Sequence, residues 1–307
     1  MFAAFLFPGQ GAQFVGMGRD LLQRNSEAEP FRQAAEARLE IPLGRLLLEG
    51  PDDTLQATDQ AQPAILFVSL ALLALLASNG AYPQAVAGHS LGEFAGLVAA
   101  QALDPLDALA AVQARGRAMA AAASGGAGMA AVLGLDDETV IRICADTGDV
   151  VAANFNAPGQ VVVSGTDQAL DRITPHLQRA GARRVIRLPV SGAFHSPLMA
   201  RAAEAFRPAW AAIPLHRLER PQVFNMDGEV HVEPTEVREL MVGQLTGPVR
   251  WTATVRRLQQ VGIDRFVEVG PGRTLTGLVK KILPGAVVHN IEDMSTLREY
   301  LRATRGD

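Results

Sequence analysis

A single cysteine, Cys144, leaves the 307-residue chain unable to form an internal disulfide and suits a reducing cytosol. A strong excess of one charge is missing too. Lys and Arg total 28 against 32 Asp and Glu, and the net charge of −4 offers no global attraction to nucleic acid or an anionic membrane. The start, MFAAFLFPGQ, lacks a basic n-region and breaks at Pro8-Gly9, so no signal peptide is expected. No uninterrupted apolar run reaches the ~20 residues that span a bilayer. The longest, Ala64 to Ala77, contains Ser69 and is expected to be a buried helix. No histidine has a Cys, Asp or Glu companion at metal-ligand spacing, and there are no internal repeats. These absences point to a cytoplasmic protein, and 48% hydrophobic composition suffices for one large domain or two unequal ones.

Gly88-His89-Ser90-Leu91-Gly92 fits G-x-S-x-G, a strained strand-to-helix turn that lifts a serine hydroxyl out of a sheet. Ala85 to Ala87 is a short buried-strand candidate, and Leu91 to Ala100 has the composition of a helix starting on the spot. Such a helix would aim backbone N–H groups and a positive dipole end at whatever Ser90 attacks. The plainer alternative is a Gly-rich turn that merely permits close helix–strand packing.

Phe2 to Phe7 is apolar throughout, as expected of a central strand covered on both faces. It stops at Pro8-Gly9-Gln10-Gly11, where an α/β sheet places ligand loops. The Gly-Lys-Ser/Thr ending of a phosphate loop is absent. An oxyanion-hole N–H and an ordinary turn both remain open. Ser26-x-x-Glu29 resembles a capping box for a helix to Leu39, and Thr58 to Pro63 introduces the apolar helix. Asp104-Pro105 caps another helix, to about Ala122, on which Ala108, Ala111, Val112, Arg115 and Met119 share a face. Arg115 therefore lies in the apolar stripe and needs an anion, either a structural Asp or Glu or a substrate carboxylate.

Beyond the Gly-rich joint 124–128, Met129–Leu135, Val150–Asn154, Gln160–Ser164 and Ala182–Leu188 read as strands around two helices. Their order, β-α-β-β-α-β, predicts a ferredoxin-like subdomain over 127–190, inserted into an α/β-hydrolase-like catalytic domain formed by 1–126 and 191–307. Later strands and helices alternate, which predicts a mostly parallel sheet. Ser90 needs a base. His195 lies in the Gly/Ser/Pro-rich segment leaving the small lobe and is preferred, while hydrolase order (Ser, acid, late His) would select His289.

Eight motifs in order carry a resemblance: FPGQGAQ (7–13), QPA (62–64), GHSLGEF (88–94), ARGRAM (114–119), NFNAPGQVVVSG (154–165), GAFHSPLM (192–199), QLTGPVRW (244–251) and EVGPG (268–272). Over nearly its whole length the chain resembles the malonyl-CoA:acyl-carrier-protein transacylases of bacterial fatty acid synthesis and the related acyltransferase domains of polyketide synthases. The resemblance implies a ping-pong malonyl transfer with Ser90 as nucleophile and His195 as base, then acid. It further implies Gln10 and Leu91 backbone N–H groups as oxyanion hole, Arg115 on the malonyl carboxylate, and a carbonyl around Gln244 orienting the imidazole. Gln62 supports the site, and Phe194 narrows it against branched acyl groups. Malonyl-CoA and phosphopantetheinylated acyl carrier protein are the implied substrates, with no tightly bound cofactor and a monomeric enzyme. Ala114 and Thr246-Gly247 depart from the family's usual residues and are expected to affect pocket width. A serine esterase or thioesterase, a trans-acting polyketide acyltransferase, a malonate-decarboxylase subunit and a non-catalytic carrier-binding module are the alternatives.

Overall fold

The computed structural model describes residues 2–24, 28–123 and 125–305. Its strands are β1 (Ala3–Phe7), β2 (Ala85–Gly88), β3 (Ala127–Leu133), β4 (Val150–Ala157), β5 (Gln160–Thr166), β6 (Arg184–Arg187), β7 (Gln222–Val223), β8 (Val230–His231), β9 (Arg265–Val269) and β10 (Val287–Ile291). One sheet has the order β10-β9-β1-β2-β7-β8, parallel except where β8 pairs back on β7. A separate four-stranded antiparallel sheet has the order β4-β5-β3-β6. The expected parallel sheet and distinct small sheet are both present.

β1 shows why the first run is apolar without interruption. Successive side chains face opposite sides of a sheet, so Ala3, Phe5 and Phe7 enter one core while Ala4 and Leu6 enter the other. Phe2, included in the expected strand, is instead 62% exposed, and the strand begins one residue later. The helix Thr58–Ser78 is long and apolar enough to cross a membrane, yet 83% of its most apolar window is buried inside the protein. It starts ahead of Pro63, which sits within the helix rather than at its entrance. Asp104 caps Pro105–Ala122 by accepting from the Leu106 and Asp107 N–H groups. The capping box expected at Ser26 lies outside the described residues, and its helix is seen from Ala28 to Leu39.

The antiparallel sheet carries its own core. Val140, Ile143 and Cys144 of one helix meet Leu170, Ile173 and Leu177 of the other. β4 joins this sheet to the rest of the protein at Val249, which lies between the helices Pro234–Gly243 and Trp251–Gln260. Its register shifts between Ala152 and Asn154 and again between Phe155 and Ala157, and such bulges re-aim a strand. Val249 N–H donates to Ala153 O and Phe155 N–H to Val249 O, both at 2.8 Å. The small sheet thereby overhangs the carboxyl ends of β1 and β2, where open α/β sheets bind ligands.

Candidate active site

β1 and β2 end side by side, with Phe7 in register with Gly88. Beyond that point the chain turns so tightly that a Cβ on Gly88 would lie 1.9 Å from the Gly92 carbonyl carbon, and one on Gly92 would lie 2.2 Å from Phe7 O. Both glycines of the motif are therefore required by close approach. Between them Ser90 has φ 53°, a left-handed conformation costly for a residue with a side chain. Asn225 holds this strained turn by accepting from Ser90 N–H at 2.7 Å and donating to Gly88 O at 2.8 Å. The expected helix follows as Gly92–Ala99, with Leu91 at its entry.

His195 reaches Ser90 from the chain leaving the small sheet. Its own φ is 57°, and Ser196 fixes the bend by donating to Ala193 O and capping the short turn Pro197–Met199. His195 Nε2 lies 2.8 Å from Ser90 Oγ, and Nδ1 lies 2.8 Å from Gln244 O. A carbonyl only accepts, so Nδ1 carries the hydrogen and Nε2 is left to accept the serine proton. That carbonyl is free for a reason legible in QLTGP. The helix Pro234–Gly243 ends at Gln244, and the residue four positions on, Pro248, has no N–H to donate. Burial, and after it the Arg115 charge, hold the imidazole down to about 3, so it stays neutral in ordinary buffers.

Arg115 is 1% exposed and, among the described residues, meets no carboxylate directly. Nη1 donates to Gln62 Oε1 at 2.8 Å, and Nη2 donates to Ser90 Oγ at 3.0 Å and to Gln244 Oε1 at 2.6 Å. Nε is buried without a hydrogen-bond partner among the described residues. Burial draws the guanidinium down to about 10 against the opposing pull of Glu93. A buried cation held by neutral acceptors alone suits an incoming anion. Arg117 is exposed, as the helical stripe requires.

A cavity of about 260 Å³ opens at this point, bounded by Gln10, Ser90, Arg115, Phe194 and His195 from the larger sheet's chain and by Met129, Asn154 and Leu188 from the smaller. Gln10 is held there by Nε2 donating to Thr58 Oγ1 at 3.2 Å. Gln62 lies behind Arg115, fully buried, with its amide also against Met119 Sδ. Neither Ala114 nor Thr246-Gly247 bounds the cavity: Ala114 packs on the apolar core and Gly247 faces Met226, so the expected effect on pocket width has no basis there. His289 is also far away. It lies on β10, three strands from β2 and so roughly 14 Å across the sheet, with its ring against Tyr300. His289→Ala is expected to change acyl transfer by less than about twofold; a tenfold loss in single-turnover assays would restore the late-histidine arrangement.

The acyl transferase domain family matches residues 4–304. The chain belongs to that family. This acyl transferase is 40% identical over 284 residues to the malonyl CoA-acyl carrier protein transacylase of Bacillus subtilis, covering 91% of this chain and 90% of that protein. It is 38% identical over 303 residues to the protein of the same name from Escherichia coli, covering 97% and 98%. An acyl carrier protein S-malonyltransferase from Vibrio cholerae superposes with TM-score 0.94 at 35% identity, covering 98% of this chain and 100% of that one. A malonyl-transacylase solved in complex with a type II polyketide acyl-carrier protein gives TM-score 0.95, also at 35% identity, over 99% and 100%.

Three groups in this acyl transferase carry no expectation from sequence. Glu93, 1% exposed, accepts from Asn225 N–H at 2.6 Å and from Gln244 Nε2. Burial pushes its carboxyl up to about 8, opposed by the Asn225 N–H, Arg115 and Gln244. Asn225 braces the elbow from a strand end 135 residues away. His89 points from the elbow to Asn156 of β4 at 2.9 Å and packs on Trp251. A charged residue inside the otherwise apolar GEFAGLVA was the one signal available for Glu93.

Proposed function

We propose that this protein transfers the malonyl group of malonyl-CoA to the phosphopantetheine thiol of holo-acyl carrier protein, supplying fatty acid biosynthesis. The observation that carries the reading is a single hydroxyl, Ser90 Oγ, within hydrogen-bond reach of both a neutral imidazole and a buried guanidinium. The first is the base a serine nucleophile requires. The second grips a free carboxylate beside the reacting carbon, which selects a dicarboxylic acyl unit over acetyl.

In the first half-reaction His195 Nε2 takes the Ser90 proton as Oγ attacks the thioester carbonyl. Backbone N–H groups of Gln10 and Leu91 receive the negative oxygen. The C–S bond then breaks, the imidazolium returns its proton to the departing coenzyme A sulfur, and a malonyl–Ser90 ester remains. In the second half the carrier thiol gives its proton to His195 and attacks the ester, and Ser90 leaves reprotonated. Gln244 O stabilises the Nδ1–H side of the imidazolium that forms twice in this cycle, in the place a carboxylate takes in a triad. Gln62 holds Arg115 from behind, and Phe194 fills the space a methyl branch would occupy. Side chains and backbone dipoles suffice for every step, without a resident cofactor.

Steady-state rates measured against malonyl-CoA at several fixed carrier concentrations test the scheme. Parallel double-reciprocal lines are expected; intersecting lines would require a ternary complex and contradict it. The pH dependence has a definite sign. Because the base is depressed, the neutral form needed for attack persists as pH falls, and kcat/KM is expected to stay flat from pH 8 to about pH 5. A drop centred near 6.5 would mean an unperturbed imidazole.

The strand order β4-β5-β3-β6 with two helices on one face supports reading 127–190 as a ferredoxin-like insertion. The parallel sheet and its elbow support reading 1–126 and 191–307 as an α/β-hydrolase-like catalytic domain. The enzyme acts as a cytoplasmic monomer on an acidic carrier protein.

A further inference from the structure

Glu93 is a buried ionisable group that the reaction scheme leaves unused, and it lies where two arms of the site meet. One arm runs through Asn225, whose N–H donates to Glu93 Oε1 and whose amide braces Ser90 N–H and Gly88 O. The other runs through Gln244, whose Nε2 donates to Glu93 Oε2 while its Oε1 accepts from Arg115 Nη2 at 2.6 Å. An amide can be turned either way, and its neighbours decide. With the opposite turn, Gln244 Oε1 would meet a carboxylate oxygen and its NH2 would meet a guanidinium N–H, and both contacts would be repulsive. A protonated Glu93 could tolerate the first clash but not the second. In the turn observed, the two Glu93 oxygens accept from Asn225 N–H and Gln244 Nε2 while Gln244 Oε1 accepts from Arg115, so every donor finds an acceptor.

The placement has a consequence for recognition. A carboxylate bound directly to Arg115 would fill the guanidinium fork and compete with a substrate anion. With no carboxylate nearby, the buried cation would be uncompensated. Glu93 stands one amide away, near enough to offset the charge and too far to occupy the fork. We propose that Glu93 is a positioning residue for dicarboxylic acyl selection, turning Gln244 so that Arg115 is held by an amide oxygen and no protein carboxylate competes with the substrate's for the guanidinium. This inference rests on the malonyl reading of the site.

The test compares acylation of Ser90 by malonyl-CoA and by acetyl-CoA in single-turnover mass measurements, with thermal unfolding as a folding control. Glu93→Gln is expected to lower the malonyl-over-acetyl ratio of acylation rates by roughly 10- to 100-fold, the range for losing a hydrogen bond to a charged group. Equal losses with both substrates would reduce Glu93 to a support of the elbow and overturn the proposal. A second variant, Glu93→Gln with Gln244→Glu, keeps one carboxylate and one amide but puts the charge directly on Arg115. It is expected to unfold near the wild-type temperature while remaining poor with malonyl-CoA. Recovery of the malonyl preference would show that the separation of Glu93 from Arg115 is irrelevant, and would also overturn the proposal. Failure of the wild-type protein to acylate with malonyl-CoA would instead remove the reading on which this one rests, a distinguishable result.

Discussion

Arg115→Ala is expected to slow acylation of Ser90 by malonyl-CoA by roughly 10²- to 10³-fold, while acylation by acetyl-CoA is unchanged or faster. The size follows from the environment. Removing one partner from a buried charged contact costs about 3–5 kcal/mol, most of it in the charge left behind. Here that charge is the malonyl carboxylate, which would enter the cavity without a counter-ion. Acetyl carries no such group and gains room. Arg115→Lys is expected to recover little, because a point charge on a flexible stem cannot reach Gln62, Gln244 and Ser90 with one planar fork. Single-turnover acylation with the two acyl-CoA substrates measures both effects. Equal damage to malonyl and acetyl would place Arg115 in support of the elbow rather than in recognition.

His195→Ala is expected to reduce transfer by about 10³- to 10⁴-fold with little change in malonyl-CoA affinity. General-base removal has this size when the nucleophile is a hydroxyl. The affinity is spared because the imidazole touches Ser90 and Gln244, whereas the carboxylate grip resides in Arg115. Replacing the helix-end carbonyl that orients the ring is not possible by side-chain substitution. Pro248→Ala approaches it indirectly, since it supplies the N–H that could compete for Gln244 O, and a smaller loss in kcat with unaltered KM is the expected result. A His195→Ala enzyme retaining more than a tenth of wild-type activity would require another base, and no other histidine reaches Ser90 among the described residues.

Much of this site was legible in the sequence because its signals are local. Unbroken apolarity marks β1 as a strand with two covered faces, and Asp104-Pro105 marks a helix start. The three-and-four spacing turns Arg115 inward, as its 1% exposure shows. Gly-x-Ser-x-Gly is legible as a fixed local spacing, although only Gly88 answers to a neighbour a few residues away and Gly92 answers to Phe7 on the adjacent strand. His195 is marked by its place at the exit of the small lobe, and Gln244 by the motif resemblance alone. What stayed hidden depends on contacts distant along the chain. Asn225 sits 135 residues from the serine it braces, and Glu93 is 151 residues from the amide it turns. Nothing in the spacing of either residue records those meetings. Short elements such as Leu43–Glu49 and the two-residue β8 were missed for another reason, since neither is long enough to show a period.

The account stands or falls on a malonyl–Ser90 ester that passes to a carrier thiol. Intact-protein mass after mixing with malonyl-CoA, followed by addition of holo-acyl carrier protein, tests it in one experiment. The expected result is a malonyl adduct that maps to Ser90, is absent in Ser90→Ala, and moves to the carrier when the carrier is added. An adduct that decays to free malonate with the carrier unmodified would contradict transfer and identify a thioesterase. An adduct seen only with another acyl-CoA would keep the serine chemistry and contradict the substrate.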